Sequence, residues 1–336
     1  MSIRVAINGF GRIGRCVIRS LFESNRTHEF ELVAINDLSK DLGIMSHILQ
    51  YDSVHGYFNH KVTNDDNNLI IDDHYIKILN QHNPENLPWR DLEIDIVLEC
   101  TGAFTTREKA NKHIIAGAKK VLISAPGDKN VDATIVYGVN HQIITSEMSI
   151  ISNASCTTNC LAPIAKVIHE NFGIESGLMT TIHSFTSDQV LLDNYHSDPR
   201  RSRSATLSMI PTKSGASRSV GLVLPELDGK IDGFAVRVPV PNVSLIDFVF
   251  YSQKQTTVNE VNQAIINASN GYLSRVLAIN NKPLVSSDFN HNKYSSVFDV
   301  TQTMVQGKMN KVLSWYDNEW GFSNRMLDTT SYIFNC

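Results

Sequence analysis

Cysteine is scarce in this 336-residue chain. The five present, Cys16, Cys100, Cys156, Cys160 and Cys336, are odd in number and scattered apart from one pair, which excludes a disulfide framework and fits a reducing compartment. Long apolar runs are missing as well. None reaches the roughly 18 residues that a bilayer span needs, and the stretch from Met1 to Arg12 meets Gly9 and Gly11 too early for the apolar core of a signal peptide. A cytoplasmic protein with no membrane partner is expected, and the sequons at Asn153 and Asn242 then carry no information. Nor is there an excess of one charge. Thirty Lys and Arg against 34 Asp and Glu leave a net charge of −4, so no bulk positive field favours nucleic acid as a partner. Repeats and low-complexity tracts are absent, and 42% hydrophobic with 19% charged residues exclude a disordered or collagen-like chain. What remains is an ordinary globular sequence, long enough for about two domains at roughly 150 residues each.

The first half alternates strands with helices. Ile3 to Asn8 reads as a short buried strand, Gly9-Phe-Gly11-Arg-Ile-Gly14 as a turn, and Arg15, Val17, Ile18, Leu21 and Phe22 as a helical face. A second strand, Phe30 to Ile35, ends at Asn36-Asp37 and is followed by helical spacing at Leu42, Met45, Ile48 and Leu49. An Asn-rich stretch, 64–68, introduces a hairpin through 69–71 and 75–78, and buried strands return at 94–98, 121–124 and 134–139. This pattern predicts an α/β domain with a largely parallel sheet covered on both faces. After Asn153 come a helix at 161–168, a strand at 178–183, a polar Arg-bearing loop from 186 to about 206 and longer alternating strands at 234–240 and 243–251. A helix at 257–269 and a strand at 312–315 complete an α+β domain with a mainly antiparallel sheet, and a last helix over 319–334 is expected to return to the first domain.

Alone, G-x-G-x-x-G is a weak signal, since many such matches merely join a strand to a helix. Here the strand before it and the helix after it supply free N–H groups and a helix dipole for a pyrophosphate, and Gly11 lets a ligand approach the backbone. Asp37, at the end of the second strand, is placed to hydrogen-bond ribose hydroxyls, and its charge favours NAD over a 2′-phosphate cofactor.

Ser155-Cys156-Thr157-Thr158-Asn159-Cys160 follows a strand and opens a helix, so Cys156 sits in the positive end of a dipole that stabilises thiolate. It is the expected nucleophile. Cys160 falls one turn later beside Leu161 and Ile164 and reads as a buried small hydrophobe, as do Cys16, Cys100 and Cys336. His183 ends an apolar strand at an edge where crevices open, and is the expected base and imidazolium partner. A zinc site from Cys156, Cys160, His169 and His183 is the rival, although it lacks the Cys-x2-Cys turn of structural zinc sites; no metal is expected. Arg200, Arg201, Arg203 and Arg237, with Thr157, Thr186, Ser214 and Gly215, supply donors suited to phosphate oxyanions, and Asp188 can orient an arginine.

Over essentially its whole length the chain resembles phosphorylating glyceraldehyde-3-phosphate dehydrogenases. The blocks INGFGRIGR, ASCTTNCLAP, TTIHSFTSDQ, LVLPELDGK, RVPVPNVS and WYDNEWGFSNR carry the likeness in order. It implies a Rossmann-type NAD-binding domain over 1–154, completed by a C-terminal helix at 319–336, and a catalytic domain over 155–318. NAD would be held by Asn8, Phe10, Gly11, Arg12, Ile13 and Asp37, with Thr101, Ser124 and Asn318 near its adenosine or nicotinamide portions. The resemblance assigns the substrate phosphate to Thr186, Asp188 and Arg237, and inorganic phosphate to Ser155, Thr157, Arg201, Ser214 and Gly215. It further implies oxidation of D-glyceraldehyde 3-phosphate through a cysteine thioester, as in glycolysis, in a homotetramer. Three features depart from the family. Asn194-Tyr195 replaces a common Leu-Pro pair, which leaves NADP open as an alternative cofactor, and Ser214 stands where threonine is usual. Phe322, Pro88-Trp89-Arg90 and the closing MLDTT resemble the sister erythrose-4-phosphate dehydrogenases, which would hydrolyse the thioester. A non-catalytic NAD-dependent binding protein is the alternative of another class.

Overall fold

The computed structural model describes residues 2–39 and 41–335, so Cys336 and the outermost positions of the segments 1–154 and 319–336 lie outside it. The chain divides into two compact units, one of Met1–Ile135, His141–Ala154 and Ser323–Cys336, the other of Val136–Asn140 and Ser155–Phe322.

A nine-stranded sheet organises the first unit. The strand Ile3–Asn8 pairs in parallel with Phe30–Asn36 on one side and Ile96–Glu99 on the other. Lys120–Ile123 and Ile150–Ser152 continue the parallel order outward. On the far side His74–Leu79 joins in parallel, and the short strands Asn68–Ile71 and Val62–Asn64 close that edge antiparallel. Val5, Ala6 and Ile7 are all within 1% of full burial, which an apolar run allows only where both sheet faces are covered. Between this strand and the helix Arg12–Glu23 the chain turns at Gly9, whose φ is +102°. A Cβ on Gly14 would lie 2.1 Å from the carbonyl oxygen of Gly9, so that position tolerates only glycine. The expected strand over 134–139 is not formed beyond Ala133–Thr134. Asn140 Oδ1 takes the Val136 N–H at 2.8 Å and Gly138 adopts φ +87°, which together make a turn there.

The second unit is built on an eight-stranded sheet that mixes two parallel pairs with a majority of antiparallel ones. Its central strands are Ile174–Ser184, Ile231–Val238, Ser244–Ser252 and Met309–Tyr316. Against them packs the helix Cys156–Phe172, which ends at Gly173 with φ +69°. Pro163 inside it forgoes a backbone bond at a cost of about 3 kcal/mol. Complete burial of Leu161, Ile164 and Ile168, worth about 1.5–3 kcal/mol each, more than offsets this. The helix Val258–Asn270 starts with a Thr257–Glu260 capping box. Among the described residues no helix is long and apolar enough to cross a membrane.

Candidate active site

Cys156 stands where the strand Ile150–Ser152 hands over to a helix. Ala154, at φ +56°, makes the turn, and the Ser155 hydroxyl caps the helix by accepting the Thr158 N–H at 3.0 Å. The sulfur therefore lies in the first helical turn, half-buried, at the positive end of the dipole. His183, near the end of the strand Ile174–Ser184, brings Nε2 to 3.6 Å from Cys156 Sγ. Its Nδ1 lies 2.7 Å from the Ser184 carbonyl oxygen. A carbonyl only accepts, so Nδ1 carries the proton and Nε2 faces the sulfur with a lone pair. The geometry is that of a thiol and its base.

Burial works against the expected thiolate–imidazolium pair. Burial pushes the Cys156 thiol up, although the Arg237 cation and the Thr157 hydrogen bonds pull the other way. Burial also pushes the His183 imidazole down to about 3, and Arg237 reinforces that shift. Both burial shifts favour a thiol beside a neutral imidazole, and they work against the helix dipole, which favours thiolate.

Strand register brings Arg237 directly beside His183. Its Nη1 donates to the Ser184 carbonyl and to Thr186 Oγ1, both at 3.2 Å, while its Nε is buried without a partner. A buried guanidinium N–H with nothing to bond fits an oxyanion. Asp188 accepts from Arg201 Nη1 at 2.7 Å, and Arg201 Nε donates to Thr212 Oγ1 at 3.0 Å. Burial would raise the Asp188 carboxyl, but Arg201 holds it below its ordinary value. Ser214 and Gly215 precede the helix Ala216–Val223, whose first carbonyl accepts from Thr158 Oγ1 at 3.5 Å. They line a cavity of about 450 Å³ together with Arg200, Thr212, Lys213 and Arg218, a cationic setting for an anion. The hydroxyls of Ser155 and Thr157 are otherwise engaged, the first with Thr158 and the second with Tyr316.

Tyr316, Thr181, Ser184 and Ser244 escaped the sequence reading. The Tyr316 hydroxyl lies 2.9 Å from Thr157 Oγ1 and 2.8 Å from Thr181 Oγ1, and its ring meets His183 edge-on at 5.9 Å. Alternation along Met309–Tyr316 places Tyr316 on the buried face, which was the readable signal. Asn318 Oδ1 accepts from Ser184 Oγ and Ser244 Oγ, each at 2.8 Å, so its amide is held in one orientation. The zinc alternative disperses: Cys160 Sγ meets Ser296 Oγ at 3.5 Å, and His169 Nδ1 accepts the Ile174 N–H at 3.0 Å.

In the first unit, the helix Arg12–Glu23 begins at Gly11 with no side-chain cap, and a Cβ on Gly11 would meet nothing within 4 Å. An uncapped helix start with open space over its glycine suits a dinucleotide pyrophosphate. Asp37 accepts the Phe10 N–H through Oδ2 and the Ser39 N–H through Oδ1, both at 2.8 Å, which fixes its carboxylate against the glycine turn. Ile13 lies in the first helical turn, and the Ser124 N–H donates to the Glu99 carbonyl at 3.0 Å. Arg12 is paired with Asp52. Burial alone would raise the Asp52 carboxyl; Arg12 and the His55 and Val54 amides hold it far below the usual range. Asn8 and Thr101 also lie at this end of the sheet, with side chains bonded inward to Glu99.

Two family models match the chain: glyceraldehyde 3-phosphate dehydrogenase, NAD binding domain, over residues 3–107, and glyceraldehyde 3-phosphate dehydrogenase, C-terminal domain, over 155–318. Among curated relatives, the plasmid glyceraldehyde-3-phosphate dehydrogenase of Cupriavidus necator is 58% identical over 98% of both chains. The glyceraldehyde-3-phosphate dehydrogenase of Pseudomonas aeruginosa is 57% identical over 98% of this chain and 97% of its own. That of Geobacillus stearothermophilus is 52% identical over 99% and 98%.

Proposed function

We propose a mechanism for this chain from the premise that it belongs to the glyceraldehyde-3-phosphate dehydrogenase family and is an NAD-dependent oxidoreductase. Its reaction is the oxidation of D-glyceraldehyde 3-phosphate to 1,3-bisphosphoglycerate. The observation that carries the reading is the 3.6 Å approach of Cys156 Sγ to an unprotonated His183 Nε2.

The Cys156 thiol gives its proton to His183 Nε2 as sulfur bonds to the aldehyde carbon. The imidazolium returns that proton to the new oxyanion, which also lies near the Cys156 N–H, and a hemithioacetal results. His183 then takes the hydroxyl proton as the carbonyl reforms and the carbon-bound hydrogen leaves with its electron pair. NAD, when bound, would supply the acceptor for that hydride. Inorganic phosphate attacks the resulting thioester, releasing the acyl phosphate and the Cys156 sulfur, which recovers its proton from His183. Arg237 and Thr186 grip the substrate phosphate, with Asp188 holding Arg201 close by. Arg201, Ser155, Thr157, Ser214 and Gly215 receive inorganic phosphate. Asn8, Phe10, Gly11, Arg12, Ile13 and Asp37 would hold the cofactor, with Thr101, Ser124 and Asn318 serving its adenosine or nicotinamide portions.

The working form is a cytosolic homotetramer. Its subunit contacts would cover Leu191, Leu192, Tyr195, Leu207 and Met209, each at least 70% exposed in the single chain. Light scattering at micromolar concentration checks this; a monomer under assay conditions would overturn it. The chemistry is tested by following NADH with glyceraldehyde 3-phosphate and erythrose 4-phosphate, with and without inorganic phosphate. Strong phosphate dependence with the three-carbon substrate is expected. Equal rates without phosphate would replace acyl transfer to phosphate by hydrolysis.

A further inference from the structure

One motif left unused by this mechanism is Pro88-Trp89-Arg90, and the structure gives Trp89 a definite task. Trp89, His113 and Glu99 are buried to within 1%, and they form a chain of hydrogen bonds beneath the glycine turn. Trp89 Nε1 donates to His113 Nδ1 at 3.0 Å. An indole N–H can only donate, so His113 Nδ1 must be bare and its proton must sit on Nε2. That proton points at Glu99 Oε2, 3.0 Å away. Glu99 Oε2 also receives Asn8 Nδ2 at 2.6 Å. Its other oxygen receives the Thr101 N–H at 2.8 Å and the Thr101 hydroxyl. Every polar neighbour of the carboxylate is thus a donor, and the tautomer that makes His113 one of them is set by the tryptophan.

The consequence lies one residue further on. With Glu99 accepting from its amide nitrogen, Asn8 must turn Oδ1 the other way, where Asn36 Nδ2 meets it at 2.7 Å. Asn36 is held in turn by the backbone of Gln81 at 2.8 and 3.0 Å. The ends of three adjacent strands are therefore locked together by side chains, in addition to Cys100 N–H to the Asn8 carbonyl and Gly9 N–H to the Asn36 carbonyl. Gly9 fits into this junction with no tolerance: a Cβ there would lie 2.9 Å from Cys100 C and from two atoms of Thr101.

We propose that Trp89, His113 and Glu99 are positioning residues for the dinucleotide, fixing Asn8, Thr101 and through them the Gly9–Gly11 turn, without touching the ligand. This rests on the reading that the turn binds NAD. Asn8 and Thr101, whose polar side-chain atoms are spent inside the protein, then serve the cofactor through the backbone they hold.

The test is NAD titration by calorimetry of the full-length protein, its Trp89→Phe variant and its Glu99→Gln variant, with the rate of Cys156 alkylation by iodoacetamide in NAD-free protein as the control. Trp89→Phe keeps an aromatic side chain in the core, removes the donor and leaves a smaller ring. An NAD Kd raised about 3- to 10-fold is expected, and a larger rise for Glu99→Gln, whose new NH2 confronts donors. Alkylation should stay within about twofold in both, since the same cysteine environment is left in place. Folded variants with unchanged Kd would overturn the proposal, whereas a wild type that fails to bind NAD would overturn the reading of the turn itself. Should both variants fail to fold, the 15N shifts of His113 in the wild type decide. An Nε2–H tautomer upholds the relay, and an Nδ1–H tautomer overturns it.

Discussion

Replacing Arg237 by Gln separates what the guanidinium does for substrate from what it does for the sulfur. In the structure it gives one nitrogen to Ser184 and Thr186 and keeps a buried Nε with no partner. Losing one side of a buried charged contact costs about 2–4 kcal/mol. At about 1.4 kcal/mol per decade, kcat/KM for glyceraldehyde 3-phosphate should fall roughly 30- to 700-fold. Glyceraldehyde without a phosphate loses only the electrostatic part. The Arg237 charge favours thiolate, so its removal raises the Cys156 thiol further and slows alkylation at neutral pH. The same charge depresses His183, so in the variant that imidazole moves up and protonates at higher pH. The acid limb of the pH–rate profile should therefore shift toward neutrality while its alkaline limb shifts outward. Steady-state NADH assays with both aldehydes and an iodoacetamide pH series measure all of this. Equal losses for the phosphorylated and unphosphorylated aldehydes would refute the phosphate grip, and an unmoved alkylation profile would refute the charge argument.

Cys156→Ser should abolish NADH formation while NAD binding persists; full turnover by that variant removes the nucleophile assignment. His183→Asn should slow Cys156 alkylation at neutral pH by at least about tenfold through loss of the base, and an unchanged rate counts against it. His183 also predicts acid lability. Its folded value of about 3 lies below the ordinary 6.5, so unfolding takes up a proton between those limits and stability is lost as pH falls through that window. The contribution is on the order of 5 kcal/mol, and His183→Asn should flatten the denaturant midpoint against pH there; parallel curves would contradict the burial. Tyr316→Phe leaves the Thr157 and Thr181 hydroxyls without their shared partner, for an expected loss of about 1–3 kcal/mol in chemical denaturation, against which a neutral effect would argue.

Periodicity carried the α/β pattern because the apolar centres of Ile3–Asn8 and Phe30–Asn36, such as Val5, Ala6, Ile7, Ala34 and Ile35, are buried on both faces. It failed where elements are short. The strands Ile210–Lys213, Leu277–Asn280 and Ser296–Asp299 have four residues each, and the helix Ala216–Val223 begins on a Ser-Gly pair that reads as loop. The extra strand residues assigned over 135–139 were lost to an Asn140 side-chain bond, which no hydrophobic pattern encodes. Within the active site, residue types at Cys156 and His183 pointed to their chemistry, but their neighbours depend on register between distant strands. Arg237 faces His183 through pairing of Ile231–Val238 with Ile174–Ser184, and Tyr316 arrives from Met309–Tyr316, paired to Ser244–Ser252.

The protonation state of the cysteine pair shows what kind of information a sequence withholds. A helix N-terminus has a sign that can be read from the order of residues, and the sign favours thiolate. Burial has a magnitude that depends on everything packed around the pair, including Tyr316 and the Ser184 backbone, and here it has the opposite sign. The sign read from residue order therefore has to be weighed against one assembled from long-range contacts. A sulfur facing a bare imidazole nitrogen has a functional logic. In the proposed mechanism the negative charge develops on the aldehyde oxygen as sulfur bonds to carbon, where the Cys156 N–H and the His183 imidazolium are placed to stabilise it.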